Sequence, residues 1–196
     1  MTETDICNMS LGYIGKGQIK SMEENQENAR TCKLYYHQTR QETLRDFPWN
    51  FAVRVERLAL VHETVSGYAY AYAWPETCVR ICKLRGEESW PMTYEPYEVL
   101  NMDTATKLIA CNLEEAYLVY IYDVTDPDLM DAAFIEGFAR LLAAKISMAL
   151  TGNPQQYQLQ YQMYQTAVQK ARIYDGQEGQ KPTPYKSTYA EARRPY

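Results

Sequence analysis

Asp46-Phe47-Pro48-Trp49-Asn50-Phe51-Ala52 closes a long helical pattern and opens a run that alternates like a strand. Pro48 has no amide hydrogen, and its ring drives the residue before it out of helical dihedrals, so the preceding helix has to stop here. Phe47, Trp49 and Phe51 fall at alternate positions, the spacing that puts extended-chain side chains on one face. Three large aromatics on one face need a core to enter. Phe47, Pro48, Trp49 and Phe51 are therefore expected to form a structural seam between a helical layer and a β-rich insert.

Upstream of the seam, Ile6, Met9, Leu11, Tyr13 and Ile14 recur at helical spacing over Thr4 to Ile14, with Thr4 or Asp5 as N-cap and Gly15 as the stop. Glu23 to Asp46 reads as a second, long helix. Its apolar stripe runs through Ala29, Cys32, Tyr36, Thr39, Thr43 and Leu44, and Arg30, Lys33, Gln38, Arg40 and Glu42 take the other side.

Downstream the period changes to two. Val53, Val55, Leu58 and Leu60, then Tyr68, Tyr70, Tyr72 and Trp74, alternate with smaller or polar residues until Pro75. Thr77 to Leu84, Tyr94 to Met102, Thr106 to Asn112 and Tyr117 to Tyr122 are further strand candidates, the last being the strongest in β-branched and aromatic content. Short strands divided by turn signals suggest one small antiparallel sheet.

Asp126-Pro127 returns the chain to helix, with an acidic cap before proline at the first helical position. That helix runs to Leu150, and Thr151-Gly152-Asn153-Pro154 ends it and caps the next, so the pair forms an antiparallel hairpin. The last helix, Pro154 to Tyr174, carries Tyr157, Tyr161, Tyr164, Val168 and Ala171 along one stripe, with no charged residue before Val168. Such a face either packs on its own hairpin partner or offers Tyr157, Tyr161 and Tyr164 to another subunit. Beyond Ile173 no Ile, Leu, Val, Phe or Met follows, so residues 176–196 cannot build a core and are expected to be an extended arm.

The fold class expected is α+β: a helical bundle of two N-terminal and two C-terminal helices, within helices 4–46 and 127–174, and an inserted small antiparallel sheet at about 51–123. Residues 1–175 form one domain, and the extended C-terminal arm follows. At 196 residues, with 46% hydrophobic and 23% charged residues, the chain can bury a substantial core. Tyrosine is in surplus, eighteen against four phenylalanines, and tyrosine is enriched at protein interfaces.

A net charge of −5 disfavours gripping nucleic acid through its phosphates. No run approaches the ~18 apolar residues of a membrane span, and the acidic start lacks the basic region of a signal peptide. Cys7, Cys32, Cys78, Cys82 and Cys111 include no CxxC pair, and only His37 and His62 could join them, so buried free thiols are expected and no metal or cofactor. Phosphate-loop, HExxH, GxSxG and calcium-loop patterns are absent. The adjacent acidic pairs Glu23-Glu24, Glu87-Glu88 and Glu114-Glu115 read as solvated turns, and the expectation is that the chain is not an enzyme.

Several stretches together resemble one family. Ile6-Cys7-Asn8-Met9-Ser10-Leu11-Gly12-Tyr13-Ile14-Gly15, a helix with Arg30, Cys32 and Tyr36, Leu44 through Ala52, and Tyr72-Ala73-Trp74-Pro75 before a Cys-Val-Arg strand are similar to the head-to-tail adaptors of short-tailed bacteriophages. These are also called tail tubular protein A or tail accessory factor. The likeness extends through the Ala139 to Gly152 helix and its Gln-rich partner, to about Ile173.

The resemblance implies a structural virion protein at the head–tail interface, assembled in the host cytoplasm. It would form a ring, typically twelvefold, between the portal protein and the tail nozzle, with tail fibre or tailspike proteins as further tail partners. It would close the filled head and extend a channel through which genomic DNA passes without specific binding. A C-terminal arm commonly reaches the portal, which implies that role for Tyr185, Tyr189, Arg193, Arg194 and Tyr196. A virion-associated peptidoglycan-degrading enzyme, or another head-completion or tail-terminator subunit, stands as the alternative.

Overall fold

A computed structural model of the chain describes residues 1–65, 67–86, 94–101 and 107–178. Helix α1, Glu3–Tyr13, begins one residue before the span read from the sequence, and Thr2, not Thr4 or Asp5, is its cap. The Asp5 amide donates to Thr2 Oγ1 and the Thr2 amide donates to Asp5 Oδ2, a reciprocal capping box. At the other end Gly15 takes φ +70°, a conformation cheap for glycine, and the Lys16 amide closes back on the Leu11 carbonyl.

Helix α2, Glu27–Asp46, starts four residues later than expected. Ser21 Oγ accepts from the Glu23 amide and Glu24 Oε1 accepts from the Lys20 amide, so side chains fold residues 20–24 into a turn that competes with helix. Its end is the expected one: Phe47, before Pro48, is fully extended at φ −147°, ψ 147°. Asn50–Ala52 then forms a single 3-10 turn in place of the extended run read from the alternation.

The β-rich part, expected as one sheet, is two. Strands β1 (Val53–Arg57), β7 (Tyr117–Tyr122) and β4 (Cys78–Arg85) make an antiparallel inner sheet in the order β1-β7-β4. Strands β2 (Leu60–Val65), β3 (Tyr68–Ala73), β6 (Lys107–Cys111) and β5 (Glu98–Asn101) make the outer sheet in the order β2-β3-β6-β5. Residues 58 and 59 hand the chain across: the Leu58 amide bonds Ala116 on the inner side, and the Ala59 carbonyl accepts from Ala73 on the outer side. No glycine or proline marks this corner in the sequence.

β7 explains the split, because it contributes to a separate core on each face. Ile121 enters a core shared with the helices, and Leu118 and Tyr120 enter a second core against Tyr72, Ile109 and Cys111 of the outer sheet. The inner sheet is thus a middle layer between helices and outer sheet. Among the described residues the architecture is α+β, four helices and two small antiparallel sheets.

Asp126-Pro127 opens only a 3-10 turn, Pro127–Leu129; helix α3, Ala132–Thr151, has Asp131 as its cap, whose carboxylate accepts from the Ala133 amide. Gly152 at φ +63° ends α3, and Asn153 caps α4, Pro154–Glu178, by accepting from the Gln155 amide. The hairpin is tight at Gly137. A methyl there would sit 3.4 Å from Val168 Cγ2 and close to the Tyr164 ring. No helix among the described residues is long and apolar enough to cross a membrane.

Candidate interface surfaces and the seam behind them

The seam gathers aromatics from separate elements. Trp49 is 2% exposed, meets Phe47 and Phe134 edge-on at 5.2 Å each, and donates its indole N–H to the Thr43 carbonyl at 2.9 Å. Phe51 meets Phe134 at 5.1 Å, and Phe134 leads to Phe138 and then Tyr36. All four phenylalanines of the chain lie in this one chain of rings. Pro48 supplies the turn that brings Trp49 back under α2.

Polar groups lock the same junction. Arg40, assigned to the solvent side by its helical position, is buried: its guanidinium meets Asp123 Oδ1 at 2.8 Å, and Gln41 donates to Asp123 Oδ2 at 3.0 Å. His37 Nδ1 lies 3.1 Å from the same guanidinium, which has only donors, so this nitrogen serves as the acceptor. Arg45 donates to the Val79 carbonyl and Arg80 donates back to the Arg45 carbonyl, crossing between α2 and β4. Two charged pairs of contacts therefore hold helix to sheet at points the hydrophobic pattern does not mark.

Asp46, the last residue of α2, ties in α4. Tyr164 donates its hydroxyl to the Asp46 carboxylate, and Arg172 donates to the Asp46 carbonyl while its guanidinium lies 5.4 Å from the Phe47 ring centroid. Burial, reinforced by that carboxylate, raises the Tyr164 phenol well above its ordinary pKa. On the far flank Tyr13 donates to Glu136 Oε2 at 2.6 Å, and Arg140, bonded to Glu136 and to Gln160, covers the Tyr13 ring at 3.5 Å. Burial first, and then Glu136, push the Tyr13 hydroxyl up to about 12.

α4 resolves the two readings of its tyrosines. The packed row is Gln160, Tyr164, Val168 and Ala171, which keeps the last three positions of the stripe read in the sequence and has Gln160 in place of Tyr157 and Tyr161 in the first turns. Tyr164 is therefore a core residue. Tyr157 and Tyr161 remain on the surface, 40% and 37% exposed, with rings parallel within 5° at 6.0 Å. Leu159 and Met163, which the stripe did not include, are exposed on the other flank of the packed row, about 200° round the helix from the two tyrosines. Four large apolar or aromatic groups thus stand on a helix segment without charge.

The arm residues Tyr185, Tyr189, Arg193, Arg194 and Tyr196 lie outside the described residues, as does the pair Glu87-Glu88. His37 and His62 are both exposed, the second on β2. Glu115 pairs with Arg57 at 2.6 Å. All five cysteines are free thiols, and burial raises Cys78 to about 12, far from a reactive thiolate. Among the described residues no three His, Cys, Asp or Glu side chains are grouped to hold a metal ion. Comparison with known proteins finds no matching family model and no matching curated sequence.

Proposed function

We propose that this chain is a structural ring subunit, a head-to-tail adaptor of the short-tailed bacteriophage type, placed between the portal protein and the tail nozzle. The observation that carries the reading is the uncharged exposed surface of α4. Tyr157 and Tyr161 on one flank of its packed row, and Leu159 and Met163 on the other, stand 37–45% exposed on a segment without charges, a surface that loses little on desolvation and gains much on contact. A second support is the stretch from Phe47 to Ala52, the most specific part of the resemblance, whose aromatics carry the junction of helices and sheet.

In this reading the helical layer makes the ring wall, and the residues 176–196 engage the portal through Tyr185, Tyr189, Arg193, Arg194 and Tyr196. The role is mechanical: the ring closes the filled head, carries the DNA channel onward and docks the nozzle and fibre or tailspike proteins. An acidic balance suits such a channel, since a wall that repels phosphates lets a duplex slide. Co-sedimentation of the full chain with portal protein tests the reading. Association is expected, and removing residues 176–196 is expected to weaken it without loss of fold; a full chain that never travels with the portal would refute the proposal.

A further inference from the structure

The inner sheet carries a cationic face that the helices leave uncovered. Cross-strand pairing sets three rows on one side of it: Val53–Ile121–Arg80, Val55–Val119–Lys83 and Arg57–Tyr117–Arg85. Residues opposite one another in a ladder share a face. The first row lies under the helices, since Val53 and Ile121 belong to the helical core and Arg80 bonds the end of α2. The other two rows run out beyond them. Val55 is 50% exposed, Val119 and Tyr117 are half-buried, and Arg57, Lys83 and Arg85 surround them, with Glu115 the carboxylate paired to Arg57 and the Lys83 ammonium donating to the Tyr94 hydroxyl at 2.6 Å, a neutral partner that leaves its charge in place. On a chain of net charge −5 this is an apolar centre with a cationic rim.

The opposite character occurs just past the other end of β7. Asp126, Asp128 and Asp131 flank Leu129, which is 57% exposed. Asp126 and Asp131 each use one carboxylate oxygen on a cap, and Asp128 meets the Met1 ammonium, so the three remain available on their outer sides. This knob is an apolar tip with an anionic rim, complementary in both respects to the sheet face. Six residues of extended strand separate the two, roughly 20 Å, so one copy cannot satisfy its own pair.

We infer that the occupant of the cationic sheet face is a second copy of this chain, whose Asp126–Asp131 knob seats Leu129 over Val55 and Val119 between Arg57, Lys83 and Arg85. The contact joins two different surfaces, so each copy offers one of each and the arrangement propagates head to tail, closing into a ring where the rotation permits. It rests on the ring reading and supplies that reading with a subunit contact.

The experiment uses two full-length variants. Arg57→Glu/Arg85→Glu turns the face anionic, and Asp126→Lys/Asp128→Lys turns the knob cationic; circular dichroism checks that each folds. Sedimentation velocity over a range of concentration, at low and high salt, reads self-association. Wild-type association that weakens with salt, falls at least tenfold in each variant alone and returns when the two are mixed is the expected result, because only the mixture restores opposite charges at both ends of every copy. Wild-type association untouched by either variant would overturn the contact while leaving the ring to another surface, and a wild-type chain monomeric throughout would overturn it too. Retention of duplex DNA by the wild type, lost only in the face variant, would assign the face to nucleic acid instead. The portal co-sedimentation above judges the ring reading separately.

Discussion

The two cores of this protein differ in their aromatics. Against the helices lie Trp49 and all four phenylalanines together with Tyr36 and Tyr164, and the indole N–H and the Tyr164 hydroxyl find partners in the Thr43 carbonyl and the Asp46 carboxylate. Between the sheets the large rings are Tyr72 and Tyr120, whose hydroxyls emerge to bond the Leu113 and Glu114 carbonyls and the Glu56 carboxylate. Phenylalanine is confined to the helical core; a sandwich of two short sheets is about one side chain deep, so a phenol spans it with its tip at the rim. Part of the tyrosine surplus is therefore structural, and among the described residues the interface signal narrows to tyrosines with exposed rings: Tyr94, Tyr97, Tyr157, Tyr161 and Tyr174.

If that contrast is right, truncation should cost most in the helical core. Trp49→Ala removes a fully buried indole and leaves the Thr43 carbonyl unbonded, an expected loss of about 3–5 kcal/mol in urea unfolding. A folded, undestabilised Trp49→Ala subunit would place the seam on the wrong surface. Arg40→Ala strands Asp123 at the same junction and is expected to cost about 3 kcal/mol, less for the part of Asp123 that solvent reaches. In the sandwich the expected effect is smaller. Tyr72→Phe keeps the ring and loses the two carbonyl bonds, about 1 kcal/mol.

Both regions hold raised phenols, Tyr13, Tyr36 and Tyr164 against the helices and Tyr72 in the sandwich, so the contribution of the sandwich is read from its own variant. Burial raises the Tyr72 hydroxyl from 10.0 to about 12 in the folded chain. A phenol raised on folding contributes stability that is complete below its unfolded pKa and is lost as the pH climbs through its folded pKa. Stability should therefore decline between pH 10 and 12, and the decline should be shallower in Tyr72→Phe; an identical slope in the variant would show that this hydroxyl is not what the sandwich protects. The smallest effect is expected on α4, where Tyr157→Ala and Tyr161→Ala should shift unfolding by less than about 0.5 kcal/mol while reducing assembly.

Much of the fold is legible in local chemistry. Pro48 stops α2 at Phe47, Gly152 and Asn153 turn the hairpin, and the bounds of β7 match its run of β-branched and aromatic residues. What the local pattern hides depends on distant partners. Arg40 looks solvated until Asp123, 83 residues away, is brought beside it. Gln160 looks like surface, yet both of its amide atoms find partners in Tyr13 and Arg140, which makes it as buriable as an apolar residue and lets it take the place of Tyr157 and Tyr161 in the first turns of the packed row. The division into two sheets turns on a corner at residues 58 and 59 that carries no turn residue. Leu159 and Met163 stand off the apolar stripe, so periodicity alone does not mark them.

The central claim is that this chain forms a ring on the portal, and the most direct measurement is negative-stain electron microscopy of the purified protein mixed with portal. Stacked rings with the chain as a separate, evenly spaced layer are the expected result. Portal rings that carry no added layer at saturating subunit would contradict it.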